Sequence, residues 1–76
     1  MSIGNEIKVR RETAGITQED LARVVCLSRS AIAQYECGYK LPSLVVLARI
    51  ADALGTTPAA ILEAGTASGA AKEVRA

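Results

Sequence analysis

Side chains on which many enzymes depend are missing or scarce in this sequence of 76 residues. There is no histidine, and the only cysteines are Cys26 and Cys37. Without histidine, neither a Ser-His-Asp nor a Cys-His catalytic arrangement can form. The two cysteines do not have the spacing of metal ligands, and two thiolates alone make a poor zinc site. We therefore expect neither enzymatic chemistry nor a bound metal or cofactor.

The sequence also lacks a membrane or signal segment and a glycine-rich phosphate-binding loop. No apolar run approaches the ~20 residues that a membrane span needs, and the N-terminus lacks the basic-then-apolar order of a signal peptide. The glycines do not fit the spacing of a phosphate-binding loop. We therefore expect a cytoplasmic protein without a membrane segment, with reduced cysteines because disulfides are rare in the cytosol.

The composition that remains is that of one small folded domain. Half of the residues are hydrophobic, and the net charge at pH 7 is only +1. A chain of this length buries only ~60% of its unfolded surface, so its margin of stability is small. From residue 65 onward the sequence turns to alanine, glycine, serine and threonine. We expect a folded domain over 1–64 and a flexible tail over 65–76.

Apolar spacing and helix-breaking residues predict five short helices, while no segment has the alternation of a strand. Serine or threonine precedes four of them as an N-cap, and Thr17 with Asp20 forms a variant of the capping box. Glycine ends the first and fourth helices. The predicted segments are 3–14, 17–25, 28–36, 44–54 and a short helix from 57 to about 62.

Two of these helices have clear core-facing stripes. In the first helix the apolar members of that face are Ile3, Ile7 and Ala14. The fourth helix has the widest stripe, so we expect it to be the most buried. Its apolar positions are Leu44, Val46, Leu47, Ala48, Ile50, Ala51 and Leu54.

A helix-turn-helix unit is predicted over 17–36, with its turn at Cys26 and Leu27. The core face of its second helix is narrow, which leaves a polar face containing Arg29, Ser30 and Gln34. An arginine can pair bidentately with guanine, and a glutamine with adenine, so this face suits the reading of base edges. A solvated surface helix explains the same residues equally well on these grounds alone.

The order of these elements resembles the Cro/C1-type (Xre) family, which includes phage repressors, Cro proteins and restriction–modification controller proteins. The resemblance covers about residues 3–63. Its motif reads Thr17-Gln18-Glu19-Asp20-Leu21-Ala22, the turn, Ser28-Arg29-Ser30, Ile32, Tyr35-Glu36, Gly38, Pro42-Ser43 and Ile50-Ala51-Asp52-Ala53-Leu54-Gly55. It implies an all-α, compact five-helix lambda-repressor-like domain whose helix 28–36 enters the major groove of DNA.

The resemblance also implies roles for individual residues. Those expected at base edges are Arg29, Ser30, Ala33 and Gln34. Those expected at phosphates are Gln18, Ser28, Tyr39 and Lys40, although Gln18 and Lys40 can also be read as solvated residues and Tyr39 as packed on the domain. Arg11 and Glu36 occupy the positions of a buried ion pair. A homodimer interface is expected at Pro58, Ala59 and Leu62, with Ile61 pointing inward.

The function implied is a sequence-specific transcriptional regulator, in the first place a repressor, that binds a palindromic operator in double-stranded DNA as a homodimer. It would act in the cytoplasm, associated with the nucleoid, and contact with RNA polymerase is one route of regulation. Two alternatives stay open. One is an antitoxin that also binds a toxin, for which the alanine-rich tail is the candidate contact. The other is a protein-interaction module without DNA binding.

One residue departs from the family pattern. Cys26 stands in the turn, where the family usually has glycine and a positive φ is favoured. A cysteine that keeps this left-handed conformation costs roughly 1 kcal/mol. An altered turn and a redox-sensitive site are the alternatives, and Cys37 is expected to be exposed.

Overall fold

A computed structural model describes residues 2–65, which form five α-helices and no strand. The helices are α1 (Ile3–Thr13), α2 (Gln18–Val25), α3 (Arg29–Glu36), α4 (Leu44–Ala53) and α5 (Pro58–Gly65). All five predicted helices are confirmed, and α1 and α4 each end one residue earlier than expected. Residues 66–76, most of the predicted tail, lie outside the described residues.

The helix starts are specified by hydroxyl side chains. In each helix the residue before the first turn accepts a hydrogen bond from a backbone N–H three positions on, over 3.0–3.2 Å. These N-cap residues are Ser2, Thr17, Ser28, Ser43 and Thr57. At α2 the carboxylate of Asp20 also accepts the N–H of Thr17, which completes the predicted capping box. Local sequence therefore fixes where each helix begins.

The core is built from one fully buried aliphatic side chain of each helix, surrounded by smaller apolar residues. These five side chains are Ile7, Leu21, Ile32, Ile50 and Ile61. Complete burial of such a side chain contributes about 1.5–3 kcal/mol. α2 packs against α3 and α4, and α1 packs against α3. The predicted inward position of Ile61 is confirmed.

Three predicted core positions, Ala14, Leu44 and Ala48, are exposed and were therefore predicted wrongly. Leu44, expected in the stripe of α4, is 69% exposed, because it begins the helix at the edge of the core, beside the equally exposed Leu41 and Val45. Ala14, expected on the inner face of α1, is exposed because the helix has already ended at Thr13. The burial of α4 is concentrated in Leu47, Ile50 and Ala51.

The turn between α2 and α3 keeps the left-handed conformation despite its cysteine. Cys26 has φ 62° and ψ 41°, and it is the only non-glycine residue with positive φ among residues 2–65. The N–H of Leu27 donates to Ala22 O over 2.9 Å, which closes the end of α2. Cys26 and Cys37 are both free thiols and both exposed.

Two glycines, one near each end of the described chain, permit close packing between helices. A Cβ on Gly4 would collide with the backbone carbonyl oxygens of Tyr35 and Glu36, so α1 lies directly against the last turn of α3. A Cβ on Gly65 would stand 2.8 Å from Ile3 Cα. Gly65 therefore packs on α1. It is the last described residue of α5, although the tail was expected to begin there.

No single helix of the described part of the chain is long and apolar enough to cross a membrane. Only α4 and α5 taken together meet that requirement of length and composition, and they are bent by 101° relative to each other.

Candidate nucleic-acid interface

The outward face of α3 holds the four residues expected at base edges. Arg29 and Ser30 are exposed, and Ala33 and Gln34 are half-buried. The opposite face buries Ile32 in the core. Among residues 2–65, no ion pair or hydrogen bond engages the guanidinium of Arg29 or the amide of Gln34. Both groups therefore remain available to a ligand.

The last residue of α3 is held in place by a buried ion pair. Glu36 Oε2 accepts from Arg11 Nε over 2.7 Å, and Glu36 Oε1 accepts from Arg11 Nη2 over 3.2 Å. The side chains of Arg11 and Glu36 are only 9% and 3% exposed. Hydrogen bonding and charge from Glu36 raise the pKa of the Arg11 guanidinium above its ordinary value. Such a bidentate pair fixes orientation as well as distance, and here it joins α1 to the end of α3.

The same network reaches two further segments. Arg11 Nη1 donates to Ile16 O over 2.7 Å, in the loop between α1 and α2. Gln18 Nε2 donates to Glu36 Oε1 over 3.0 Å, so the amide at the start of α2 is tied to the end of α3. Each amide nitrogen carries two N–H groups. Within the described part of the chain, the second N–H of the Gln18 side-chain amide therefore has no acceptor.

The start of α2 has the geometry of an anion-binding helix end. Its N-cap and capping box satisfy the N–H groups of Thr17 and Asp20. The N–H groups of Gln18 and Glu19 have no acceptor within the helix, as expected for the first turn. Such groups and the helix dipole favour a negatively charged ligand. The backbone N–H and hydroxyl of Thr17 hold the pKa of Asp20 below its usual value, so that carboxylate stays ionised.

The other residues expected at phosphates flank α3. Ser28 is exposed and caps the helix by accepting from Ala31 N over 3.1 Å. Beyond the helix, the N–H groups of Tyr39 and Lys40 donate to Gln34 O over 3.0 and 3.2 Å, so this loop folds back over the last turn. Tyr39 is 77% exposed, which excludes the alternative that its side chain packs on the domain.

Lys8 also lies at this site, although it is not among the site residues predicted above. It lines a shallow depression between α1, α2 and α3 together with Gln18, Ala33 and Gln34. A signal was present in the sequence, since Lys8 follows Gly4 by four residues and precedes Arg11 by three. Residues at these spacings share one face of a helix.

The residues expected at a dimer interface lie on a different surface. Leu62 and Pro58 are half-buried and Ala59 is exposed. Leu62 lines an apolar groove together with Ile3, Leu41, Pro42, Leu44 and Leu47. At the groove, Leu41 and Leu44 are 75% and 69% exposed, and the neighbouring Val45 is 66% exposed.

Comparison with known proteins relates this chain to a family and to individual proteins. Residues 7–61 match the family model described as Helix-turn-helix. Over 55 residues the chain is 36% identical to the endothelial differentiation-related factor 1 homolog of Danio rerio, covering 72% of this chain and 38% of that protein. It therefore spans less than two-fifths of that relative. It is also 45% identical over 49 residues to an uncharacterized HTH-type transcriptional regulator of Methanothermobacter thermautotrophicus, covering 64% of this chain and 71% of that protein.

A solved structure shows the same fold. The P22 c2 repressor, in a crystal structure with a synthetic operator, matches with a TM-score of 0.79 and 30% sequence identity. The match covers 83% of this chain and 96% of that chain.

Proposed function

Since this chain belongs to the Cro/C1-type helix-turn-helix family, whose members are DNA-binding regulators and not enzymes, we propose that it is a transcriptional repressor that binds a palindromic operator as a homodimer. The observation that carries the proposal is the outward face of α3. There the polar groups of the Arg29 and Gln34 side chains have no partner among residues 2–65, while the buried ion pair of Arg11 and Glu36 holds the helix in place. A preset recognition helix loses little freedom on binding.

In this proposal α3 lies in the major groove and its side chains read bases. Arg29 pairs with the O6 and N7 atoms of a guanine, and Gln34 with the N6 and N7 atoms of an adenine. Ser30 hydrogen-bonds a base edge, and the methyl group of Ala33 packs on a thymine methyl. These contacts supply the sequence specificity.

The backbone contacts come from both sides of α3. On one side are the free N–H of the Gln18 side chain and the first N–H groups of α2, and on the other are Tyr39 and Lys40. Ser28 lies between them. Its hydroxyl can donate to a phosphate while its oxygen caps α3. These groups position the protein on the duplex without specifying sequence.

Dimerisation is supported by the apolar surface on the α4–α5 side. One α3 reaches few base pairs, whereas two copies can read half-sites about one helical turn apart. Soluble proteins seldom expose large contiguous apolar patches without a partner. We place the two-fold interface at Pro58, Ala59 and Leu62, where the small side chain of Ala59 allows close approach of two helices.

The test is selection of bound DNA from a random duplex pool, followed by titration of the selected duplex. We expect a palindrome with half-sites about one turn apart. Arg29→Ala should weaken binding by ~1–3 kcal/mol and relax the preference at one base pair. Arg23→Ala is the matched control, because it removes another exposed arginine that is not among the proposed DNA contacts. The Arg23 guanidinium lies on α2, 3.7 Å from Asp20. An equal loss on all sequences would make Arg29 a phosphate contact instead.

The dimer is tested separately by sedimentation equilibrium. Leu62→Asp should shift the chain toward monomer, because a carboxylate at a closed apolar interface would be desolvated. A dimer of unchanged strength would place the interface elsewhere.

The apolar groove also favours a second candidate, a protein-interaction module. A pool without enriched sequences would support that candidate. A tightly co-purifying protein, found together with an enriched DNA sequence, would instead support the antitoxin, which binds both DNA and a toxin. The tail expected to contact a toxin lies outside the described residues, apart from Gly65.

A further inference from the structure

We propose that Lys8 is a phosphate contact of the DNA complex, contributed by α1 from outside the helix-turn-helix unit. The inference rests on the proposed function, because it requires that α3 faces DNA. It adds a binding residue on a third helix and enlarges the positively charged footprint of a chain whose net charge is only +1.

The position of Lys8 carries the inference. Its side chain lines the depression whose other walls include Gln18 from α2 and Ala33 and Gln34 from α3. All three of these residues belong to the proposed DNA surface. A duplex seated on α3 therefore passes over this depression, and Lys8 stands at its α1 side.

The packing of α1 explains why a residue outside the unit reaches this surface. Gly4 allows α1 to touch the backbone of Tyr35 and Glu36 at the end of α3. One helical turn later, the same face of α1 presents Lys8, and the next turn presents the buried Arg11. The contact at Gly4 and the ion pair at Arg11 thus fix the stretch of α1 that carries Lys8.

The charge balance leaves Lys8 available. The acid that shares its depression, Glu36, is already bonded to Arg11 and to Gln18. Within residues 2–65 no carboxylate oxygen lies within 4 Å of the ammonium of Lys8. An exposed and uncompensated cation beside a helix that reads bases is suited to the phosphate backbone, whose neutralisation releases counterions.

The test compares Lys8→Gln with the wild-type chain, by fluorescence anisotropy on the selected duplex and on a scrambled duplex at 50–200 mM salt. Loss of one phosphate contact should flatten the plot of log K against log salt by about 0.9, so the variant loses about 3.5-fold less affinity over that range. Both duplexes should be weakened equally, and Lys8→Arg should restore the wild-type slope.

The matched control is Arg49→Gln, which removes one charge from a separate depression formed with Val24 and Asp52. We expect it to leave the slope unchanged. An unchanged slope for Lys8→Gln, whether or not its melting temperature falls, would overturn the inference while leaving the proposed function intact. Weakening confined to the selected duplex would instead make Lys8 a base contact. If the wild-type chain binds neither duplex, the proposed function fails and the inference fails with it.

Discussion

Gly4→Ala tests whether the close contact between α1 and α3 holds the recognition helix in place. The added Cβ would stand 2.9 Å from Glu36 O and would overlap Tyr35 O more severely. Both atoms belong to the backbone of α3, so neither can turn away as a flexible side chain would. We expect α1 to move off the last turn of α3.

The magnitude follows from two opposing effects. Alanine is favoured over glycine inside a helix by about 1 kcal/mol. Overpacking a close contact costs about 1–3 kcal/mol, and a clash with backbone belongs at the upper end of that range. The expected net loss is about 2 kcal/mol, from a total that is about 4–11 kcal/mol for a chain of this length. The melting temperature should fall by about 8–16 °C.

The assay is urea unfolding followed by far-ultraviolet circular dichroism, with Gly38→Ala as the control. Gly38 has φ +83°, and a Cβ there would meet nothing within 4 Å. The control therefore carries backbone strain alone, about 1 kcal/mol. Gly4→Ala should be the more damaging of the two. If Gly4→Ala proves as stable as the wild-type chain, the contact does not constrain α1 and the reasoning is refuted.

Two further predictions concern ionised groups. Glu36→Ala should reduce the free energy of unfolding by about 3–5 kcal/mol, because it leaves Arg11 charged and buried. A loss below about 1 kcal/mol in the same urea assay would contradict this prediction. Asp20 has a folded-state pKa below its ordinary value of 3.8. Its stabilising contribution is therefore complete above pH 3.8 and disappears as the pH falls through the folded pKa. Asp20→Asn should have a lower free energy of unfolding than the wild-type chain at pH 7, and this difference should vanish in acid. If the difference does not depend on pH, the charge of the Asp20 carboxylate is not its cause.

The features that the sequence predicts correctly are those encoded over three or four residues. Thr17 with Asp20 and Ser28 with Ala31 each identify a helix start without reference to the rest of the chain. The positions of Ile7 and Ile61 in the core follow from apolar spacing in the same way.

The features that the sequence does not predict depend on how separate helices meet. Leu44 satisfies the spacing of a core residue, but no other helix within residues 2–65 covers it. The approach of Gly4 to α3 and the bond from Gln18 to Glu36 join residues 18 or more positions apart, and no local pattern reports them. The ion pair of Arg11 with Glu36 is foreseen only through the family resemblance.

The hydroxyl side chain at the start of every helix has a consequence for how quickly the chain folds. Each start is specified by atoms three residues apart, so the five helices can take their boundaries before any of them has met a neighbour. Small helical proteins dominated by such short-range contacts reach the native state in microseconds to milliseconds. A newly made chain of this kind would expose Leu41, Leu44 and Val45 on a domain that has already folded, so the proposed dimer would form from folded chains.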